Sequence, residues 1–393
     1  MTDPIVIASA ARTPVGGLQG ELGALAAHEL GAVAVRAAVE RAGIAPEAVD
    51  EVILGNVLSA GQGQAPARQA SIGGGLPLAT GATTINKMCG SGMKATMLAH
   101  DLLRAGSARI MLAGGIESMT NAPYLLPKAR GGYRLGHGKI IDHMFLDGLE
   151  DAYDRGKAMG VFAENTADKY GFSREEQDAF AIASLERAQA AGRDGAFADE
   201  IAPVTIKGRK GETTVDSDEQ PRRGQADKIP ALRPVFREGG TVTAANSSSI
   251  SDGAAALVLM PESVAAEKGC TPLARICGHA TQAQEPAWFT TAPGAAIDKL
   301  LKGNDWSADS VDLWEINEAF AVVTMAAMRD IGIPHEKVNI HGGACALGHP
   351  IGASGARIIV TLLAALKRTG GKRGVAALCI GGGEATAMGF ELI

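Results

Sequence analysis

Little in this 393-residue chain could bind through bulk charge, cross a bilayer or be held together by disulfides. Lys and Arg number 37 against 43 Asp and Glu, a net charge of -6, which gives no electrostatic reason to expect nucleic acid or an anionic membrane as a partner. No uncharged apolar run reaches the roughly 18 residues of a membrane span. The opening Pro4-Ile5-Val6-Ile7-Ala8 reads as a strand at once, without the charged and long apolar regions of a signal peptide. The last residues, Phe390-Glu391-Leu392-Ile393, carry no recognisable address. Cysteine is sparse: Cys89, Cys270, Cys277, Cys345 and Cys379 are odd in number and show no CxxC spacing. With the eight His residues they make no tetrahedral zinc pattern. No metal site is therefore expected, and reduced thiols in a cytoplasmic compartment are.

What the chain has in abundance is glycine, 51 residues, against an average usage near ~7%. Such a number suits tight strand-to-helix turns and close helix-to-sheet approach. Hydrophobic residues at 46% and charged residues at 20% describe a soluble globular protein, and the length predicts two or three domains.

The opening third alternates strand-like runs (Ile5–Ala10, Glu51–Val57, Ala82–Ile85, Arg109–Ala113) with helical ones (Ala24–Arg41, Ala65–Gly73, Met93–Leu103). That alternation predicts an α/β fold with a mostly parallel sheet covered on both faces. From about 120 to 250 the texture changes. Asn121 to Gly160 has no clear periodicity, and Ser173-Arg174-Glu175-Glu176 is a capping box opening a helix to about Ala191. Pro203 to Gly240 is polar and holds Lys207, Arg209, Lys210, Arg222, Arg223, Lys228, Arg233 and Arg237. Its two readings are a solvated surface and a binding segment for a phosphate-bearing ligand. The core pattern returns at Ala254–Met260 and continues with strands at Ala274–His279, Val311–Ile316, Val338–Ile340, Gly374–Ile380 and Met388–Leu392. Helices are expected at Gly294–Leu301, Ala319–Ile331 and Ala353–Lys367.

A weak repeat links the two ends. Ser91-Gly92-Met93-Lys94 recurs in type as Ser354-Gly355-Ala356-Arg357. Gly114-Gly115-Ile116-Glu117 is matched with Gly382-Gly383-Glu384, and the strands after Asp50 and Asp312 are read as ending at Asn56 and Asn317. The order predicts a duplicated α/β unit whose paired helix N-termini face a shared centre.

The chain is organised around Thr84 to Lys94, read as strand, tight turn and helix, with Cys89 at or just before the helix N-terminus. A free thiol of pKa near ~8.5 is mostly protonated at neutral pH, and a helix N-terminus favours the anion. Cys89 is either a small buried hydrophobe or a nucleophile. Four further loops are unusual. Asn317-Glu318-Ala319-Phe320 follows a buried strand, where Asn317 could cap a helix. In Gly342 to Gly352, His349 sits among glycines with Pro350 behind it, a poor setting for a core imidazole, while Cys345 reads as a packing residue. Cys379-Ile380-Gly381-Gly382-Gly383-Glu384 puts a second thiol at a strand end before glycine amides, and Asn246 to Gly253 is a hydroxyl-rich turn. Cys and His together can make an activated nucleophile. A second Cys can move protons, and glycine amides can hold an oxyanion. These pieces fit acyl transfer through a thioester.

The loops Asn86–Lys94, Asn317–Ala321, Gly342–Arg357 and Cys379–Ala385, in that order, resemble the signature loops of the thiolase family and within it the acetyl-CoA acetyltransferases. The resemblance spans essentially the whole chain. It implies two duplicated α/β half-domains in a five-layer α-β-α-β-α core with an inserted loop domain: a first half over 1–119 completed by 251–270, a loop domain over 120–250 that binds coenzyme A and makes tetramer contacts, and a second half over 271–393. It implies condensation of two acetyl-CoA to acetoacetyl-CoA and coenzyme A, the reverse thiolysis, no cofactor beyond these thioester substrates, and a homotetramer of tight dimers. By resemblance, Cys89 accepts the acetyl group and His349 activates it. Cys379 is the acid/base for the second acetyl-CoA, and Asn317 holds a water that completes that thioester's oxyanion hole. The amides of Cys89 and Gly381 bind the acetyl-enzyme oxygen. Ser248 and Arg222 match contacts to the pantetheine and adenine ends of coenzyme A, while Met159, Phe289, Ala319 and Phe320 match the substrate pocket. Two positions depart from the pattern: Ala158 stands where a His is typical, and Phe289 where a Met is common, which leaves acyl length open. A broader 3-ketoacyl-CoA thiolase is the alternative, and a non-catalytic coenzyme A- or lipid-binding relative the remote one.

Overall fold

In the first half of the chain, four runs become strands: the largely buried β1 (Ile5–Arg12), β2 (Glu51–Gly55) and β4 (Met111–Ser118), and the partly exposed β3 (Gly81–Ile85). Between them run α1 (Ala27–Ala42), α2 (Pro66–Gly73) and α3 (Ser91–Arg104). The computed structural model describes residues 3–209 and 211–393. Lys210, one of the eight basic residues of the polar segment, lies outside the described residues. A loop-rich stretch with α4 (Met159–Tyr170) and α5 (Arg174–Arg193) precedes β5 (Ser251–Pro261). The capping box forms as expected: Ser173 Oγ accepts the Glu176 N–H at 3.1 Å, and Glu176 accepts the Ser173 N–H at 2.8 Å. The second half carries β6 (Ala274–Ala283), α6 (Ala292–Gly303), β7 (Leu313–Ile316), α7 (Ala321–Ile331), α8 (Ser354–Thr369), β8 (Arg373–Ile380) and β9 (Glu384–Leu392).

The strands run β7-β8-β9-β6-β1-β5-β4-β2-β3 across the sheet. The expected mostly parallel sheet is corrected to a mixed one. Only β2–β3, β2–β4 and β7–β8 are parallel, because only there does a helix cross over between neighbouring strands. β5 arrives from the loop segment and pairs antiparallel with both β1 and β4. Two half-sheets meet at a narrow seam, where β1 and β6 share the pairs Val6–Arg275 and Ile7–Ala274.

Five layers follow from what packs on what. Helices α1 and α2 cover the outer face of the first half-sheet, where Leu30, Val35, Val52 and Leu112 are buried together. Helices α3 and α8 lie between the half-sheets, burying Met93, Met97, Ile358 and Leu362 against Leu257 and Leu378. Helices α6 and α7 cover the outer face of the second, around Ile297, Leu300, Trp314 and Val375.

The repeat is real at the level of strand register, with a corrected alignment. Asp50 accepts the N–H groups of Arg109 (2.7 Å) and Ile110 (2.9 Å), and Asp312 accepts those of Lys372 (2.7 Å) and Arg373 (2.8 Å). Ser91 and Ser354 both open their helices. Counted from the shared aspartates, Asn56 falls opposite Glu318, not Asn317; counted from Arg109 and Lys372, whose N–H groups they accept, Glu117 falls opposite Ile380, not Glu384, which opens the next strand. The strand expected at Val338–Ile340 is a single bridge between Trp314 and Val338. Asn339 turns the chain there at φ +47° and spends its side chain on Ile316, accepting its N–H at 2.9 Å and donating to its carbonyl at 2.8 Å.

Candidate active site

The turn that presents Cys89 is fixed from several sides. Met88 sits at φ +46°, a left-handed conformation that costs a non-glycine residue on the order of 1–3 kcal/mol. Its neighbours hold it there: Asn86 Oδ1 accepts the Met88 N–H at 2.9 Å, and Ser91 Oγ accepts the Lys87 N–H at 2.8 Å while donating to the Met88 carbonyl at 2.6 Å. Lys87 pairs with Glu384 across the two halves. Gly90 packs closely on the Ile380 side chain, whose Cδ1 would have to shift for a Cβ there.

Cys89 is half-buried among Val57, Leu58, Met88, Ile351 and Ile250. Burial pushes its thiol up to about 11, against pulls downward from the N–H groups of Gly381 and of Cys89 itself. The sequence-based expectation that a helix N-terminus favours the thiolate is corrected here. The thiol precedes the helix, and loss of solvent outweighs the amides. Cys379 is the penultimate residue of β8, is completely buried, and lies close enough for Cys89 to add to the burial that raises its thiol well above the usual range. Gly381 follows one residue after β8, with Gly382 (φ +95°) and Gly383 (φ +89°) making the turn that leaves its amide facing the Cys89 sulfur.

His349 is held by its backbone and one ring nitrogen. Its N–H is shared between Ser249 O (3.1 Å) and Ser251 Oγ (3.2 Å). Nδ1 lies 2.6 Å from Ser354 Oγ. That hydroxyl also lies 2.9 Å from Pro350 O. With its proton donated there, it accepts from Nδ1, which then carries the imidazole proton, and Nε2, buried and without a protein partner, presents a bare lone pair. Burial, with Arg357 adding to it, pulls His349 down to about 3, so the ring is a neutral base. Asn317 Nδ2 lies 3.5 Å from Nδ1, and its Oδ1 is buried and unpartnered.

Further out, Cys379 packs with Met159, Phe162, Phe289, Ala319 and Phe320. Gly381 has Met159 Sδ as its neighbour, and Phe289 meets Phe162 edge to face at 6.3 Å. Ser248 is tied to Ala319, its N–H (3.0 Å) and Oγ (2.9 Å) both donating to that carbonyl. Ala158 immediately precedes α4 and has no side-chain cap to offer. The structure thus gathers Cys89, Gly381, Cys379 and Met159 in one neighbourhood, and ties His349 to Asn317. Arg222 is placed apart: it pairs with Glu21 and donates to the Asp218 carbonyl at 3.2 Å. Of the other basic residues, Arg223 pairs with Glu219 at 2.6 Å and Arg237 with Asp168 at 2.6 Å.

Two carboxylates were missed by sequence reasoning as site components. Glu117 is fully buried and accepts the N–H groups of Val57 (3.0 Å), Leu58 (3.2 Å) and Gly352 (2.9 Å) and Asn56 Nδ2 (2.8 Å), joining the loop under Cys89 to the loop after His349. Glu318 accepts from Ser184 Oγ (2.7 Å), Asn339 Nδ2 (2.8 Å) and the Cys345 N–H (3.1 Å). A glutamate inside an apolar strand, as Glu117 is, was the available signal. No helix among the described residues is long and apolar enough to cross a membrane.

Family models described as "Thiolase, N-terminal domain" and "Thiolase, C-terminal domain" match residues 5–263 and 270–392. The chain is 50% identical over 393 residues to an acetyl-CoA acetyltransferase of Cupriavidus necator, covering 100% of both. It is 50% identical to acetyl-CoA acetyltransferase 2 of Arabidopsis thaliana over 99% of this chain and 97% of that one. Its fold superposes on the Bacillus anthracis acetyl-CoA acetyltransferase with a TM-score of 0.97 at 42% identity, covering 100% and 99% of the two chains. It matches a thiolase of Ascaris suum in complex with coenzyme A at 0.94 and 42%, covering 99% and 100%. A five-layer duplicated core, two thiols, a neutral imidazole and the Asn317 amide supplied by four separate loops, and full-length likeness to these proteins have one common explanation: the chain belongs to the thiolase family.

Proposed function

We propose that this thiolase is an acetyl-CoA C-acetyltransferase, condensing two acetyl-CoA to acetoacetyl-CoA and coenzyme A and running the reverse thiolysis. The observation that carries the reading is the approach of the Cys89 turn to the end of β8, where Gly90 packs against Ile380 and Lys87 pairs with Glu384, setting Cys89 beside the Gly381 turn and a second buried thiol, Cys379. His349 Nε2 takes the Cys89 proton as sulfur attacks the thioester carbonyl, and coenzyme A leaves with the proton of Cys379, which becomes the thiolate. The developing oxyanion lies against the amides of Cys89 and Gly381. Cys379 then removes a methyl proton from the second acetyl-CoA, whose thioester oxygen is held by His349 and a water on Asn317. The carbanion attacks the acetyl group on Cys89, the bond from that carbon to sulfur breaks, acetoacetyl-CoA leaves, and the Cys89 sulfur takes its proton back from His349. No cofactor enters this scheme.

Short acyl groups suit the pocket, because the buried Phe289 ring fills the space around Cys379 with Phe162 and Phe320. We assign Ser248, Ala319 and Met159 to the pantetheine arm and Arg222 to the adenine end. A 240 Å³ cavity lined by Ser249, Ala244, Leu232 and Lys228 supports a binding path on this side. The same reading divides the chain at 1–119 with 251–270, 120–250 and 271–393. It also makes the protein a cytoplasmic homotetramer, in keeping with five free cysteines and an exposed apolar loop discussed below.

Intact-mass spectrometry after mixing with acetyl-CoA tests the chemistry. One added acetyl group is expected, absent in Cys89→Ser. Cys379→Ser should acetylate yet fail to condense; normal condensation by that variant would overturn the acid/base assignment. Rates on a ladder of 3-ketoacyl-CoA lengths should fall beyond acetoacetyl-CoA and recover in Phe289→Ala.

A further inference from the structure

Away from the reacting loops, His100, Asp101 and His279 converge from opposite halves of the molecule. His100 and Asp101 lie in the third turn of α3, and His279 lies on β6. Asp101 Oδ1 is 3.0 Å from His100 Nδ1 and 2.8 Å from His279 Nε2. The two rings meet edge to face with centroids 5.2 Å apart, and one donor atom from each residue lies within 4.8 Å of the others. His100 is buried, His279 half-buried and Asp101 exposed. Nothing in the acyl-transfer scheme uses them.

We infer that this cluster is a binding site for one divalent transition-metal ion of the zinc type. Two imidazole nitrogens and one carboxylate oxygen form a ligand set that suits zinc and its neighbours, with open positions left to water. The exposed Asp101 side supplies those waters. Bonds of about 2.0–2.2 Å require the donors to shift by roughly an ångström, which rotation of the exposed carboxylate and the half-buried His279 allows. Without an ion the ring nitrogens facing Asp101 carry the protons they donate to it; on binding, each imidazole switches tautomer, moving its one proton to the nitrogen turned away from the ion, so no net proton is lost from a neutral ring. The carboxylate gives the site a negative charge. Arg104, one turn along α3 and exposed to solvent, opposes it in part. An ion held here ties α3 of the first half to β6 of the second and stabilises the folded state by mass action, without entering the reaction.

The test uses the full chain, stripped with a chelator and titrated with zinc chloride by calorimetry, then with cobalt(II) followed by visible absorption. One ion per chain is expected, with a cobalt d–d band lacking thiolate charge transfer and a zinc-dependent rise in melting temperature. Asp101→Asn and His279→Gln should each weaken binding by on the order of 10- to 100-fold and abolish the melting shift, with metal-free circular dichroism unchanged. Absence of binding, binding unaltered by both substitutions, or a thiolate-type cobalt spectrum overturns the site.

Discussion

His349 has one ring proton, and Ser354 decides where it sits. With the serine hydroxyl donating to Pro350 O, 2.9 Å away, the imidazole offers Nε2 as a base, and its low pKa, about 3, keeps it uncharged through the physiological range. Cys89 lies at the other extreme, pushed to about 11. Two consequences follow for a thiol–imidazole pair that is neutral at rest. Single-turnover acetylation should be flat from about pH 5 to 9, with no limb near the ordinary imidazole value of ~6.5. A pre-formed thiolate–imidazolium pair would instead give a bell. His349→Ala should slow acetylation by on the order of 10²–10⁴-fold while leaving the fold intact, read by stopped-flow release of coenzyme A.

Two elements set the centre of the molecule. Helices α3 and α8 cross at reciprocal glycines: a Cβ on Gly92 would lie 2.8 Å from Ala356 N, and one on Gly355 would overlap Met93 N. These backbone-to-backbone contacts leave no side chain to yield. Gly355→Ala should destabilise by about 1–3 kcal/mol and lower activity in proportion, measured by denaturant unfolding and by the acetylation rate. Strand β4 contributes the second constraint through Glu117. Burial pushes its pKa up to about 7, against the donors that favour the carboxylate. A folded value above the unfolded ~4.5 means the native state binds this proton more tightly. Its contribution is therefore fully present below about pH 4.5 and is lost as pH rises to 7, by up to about 3 kcal/mol. Glu117→Gln should flatten that part of the pH–stability curve. At about pH 4.5 it should also destabilise by about 1–3 kcal/mol, since the amide NH2 meets donors it cannot pair with, and that offset should shrink toward pH 7 as the wild-type contribution is lost. Melting curves of both proteins between pH 4.5 and 7.5 check the slope and the offset separately.

At the scale of the whole molecule, the segment over 120–160 exposes Tyr124, Leu126, Leu135, Ile140 and Tyr153, with Leu135 fully accessible. Apolar surface of this kind marks an interaction site, and β3 leaves one edge of the sheet unpaired. The two features fit two kinds of contact between copies of the chain. Light scattering after size exclusion should give a tetramer for the protein. Leu135→Asp combined with Ile140→Asp should give a dimer, because the edge-strand contact is untouched.

Much of this molecule is local in origin. The helices and strands fall within a few residues of the periodic segments that predict them, since burial of one face is written into spacing. Cys89, His349 and Cys379 stand out because glycines and a proline surround reactive side chains. Non-local facts were not legible. The antiparallel return of β5, the one-residue shift in the repeat, and the left-handed Asn339 that ends a strand-like run all depend on what the chain meets after a long excursion. So does acid–base character: a helix start favours a thiolate on paper, yet desolvation by Ile351, Leu58 and their neighbours reverses it. His100 and Asp101 meet His279 only because two half-sheets close on α3. The amino-acid order determined which elements form and which side chains can react. Their protonation, their partners and their company were settled by packing, because electrostatics and coordination act through space rather than along the chain.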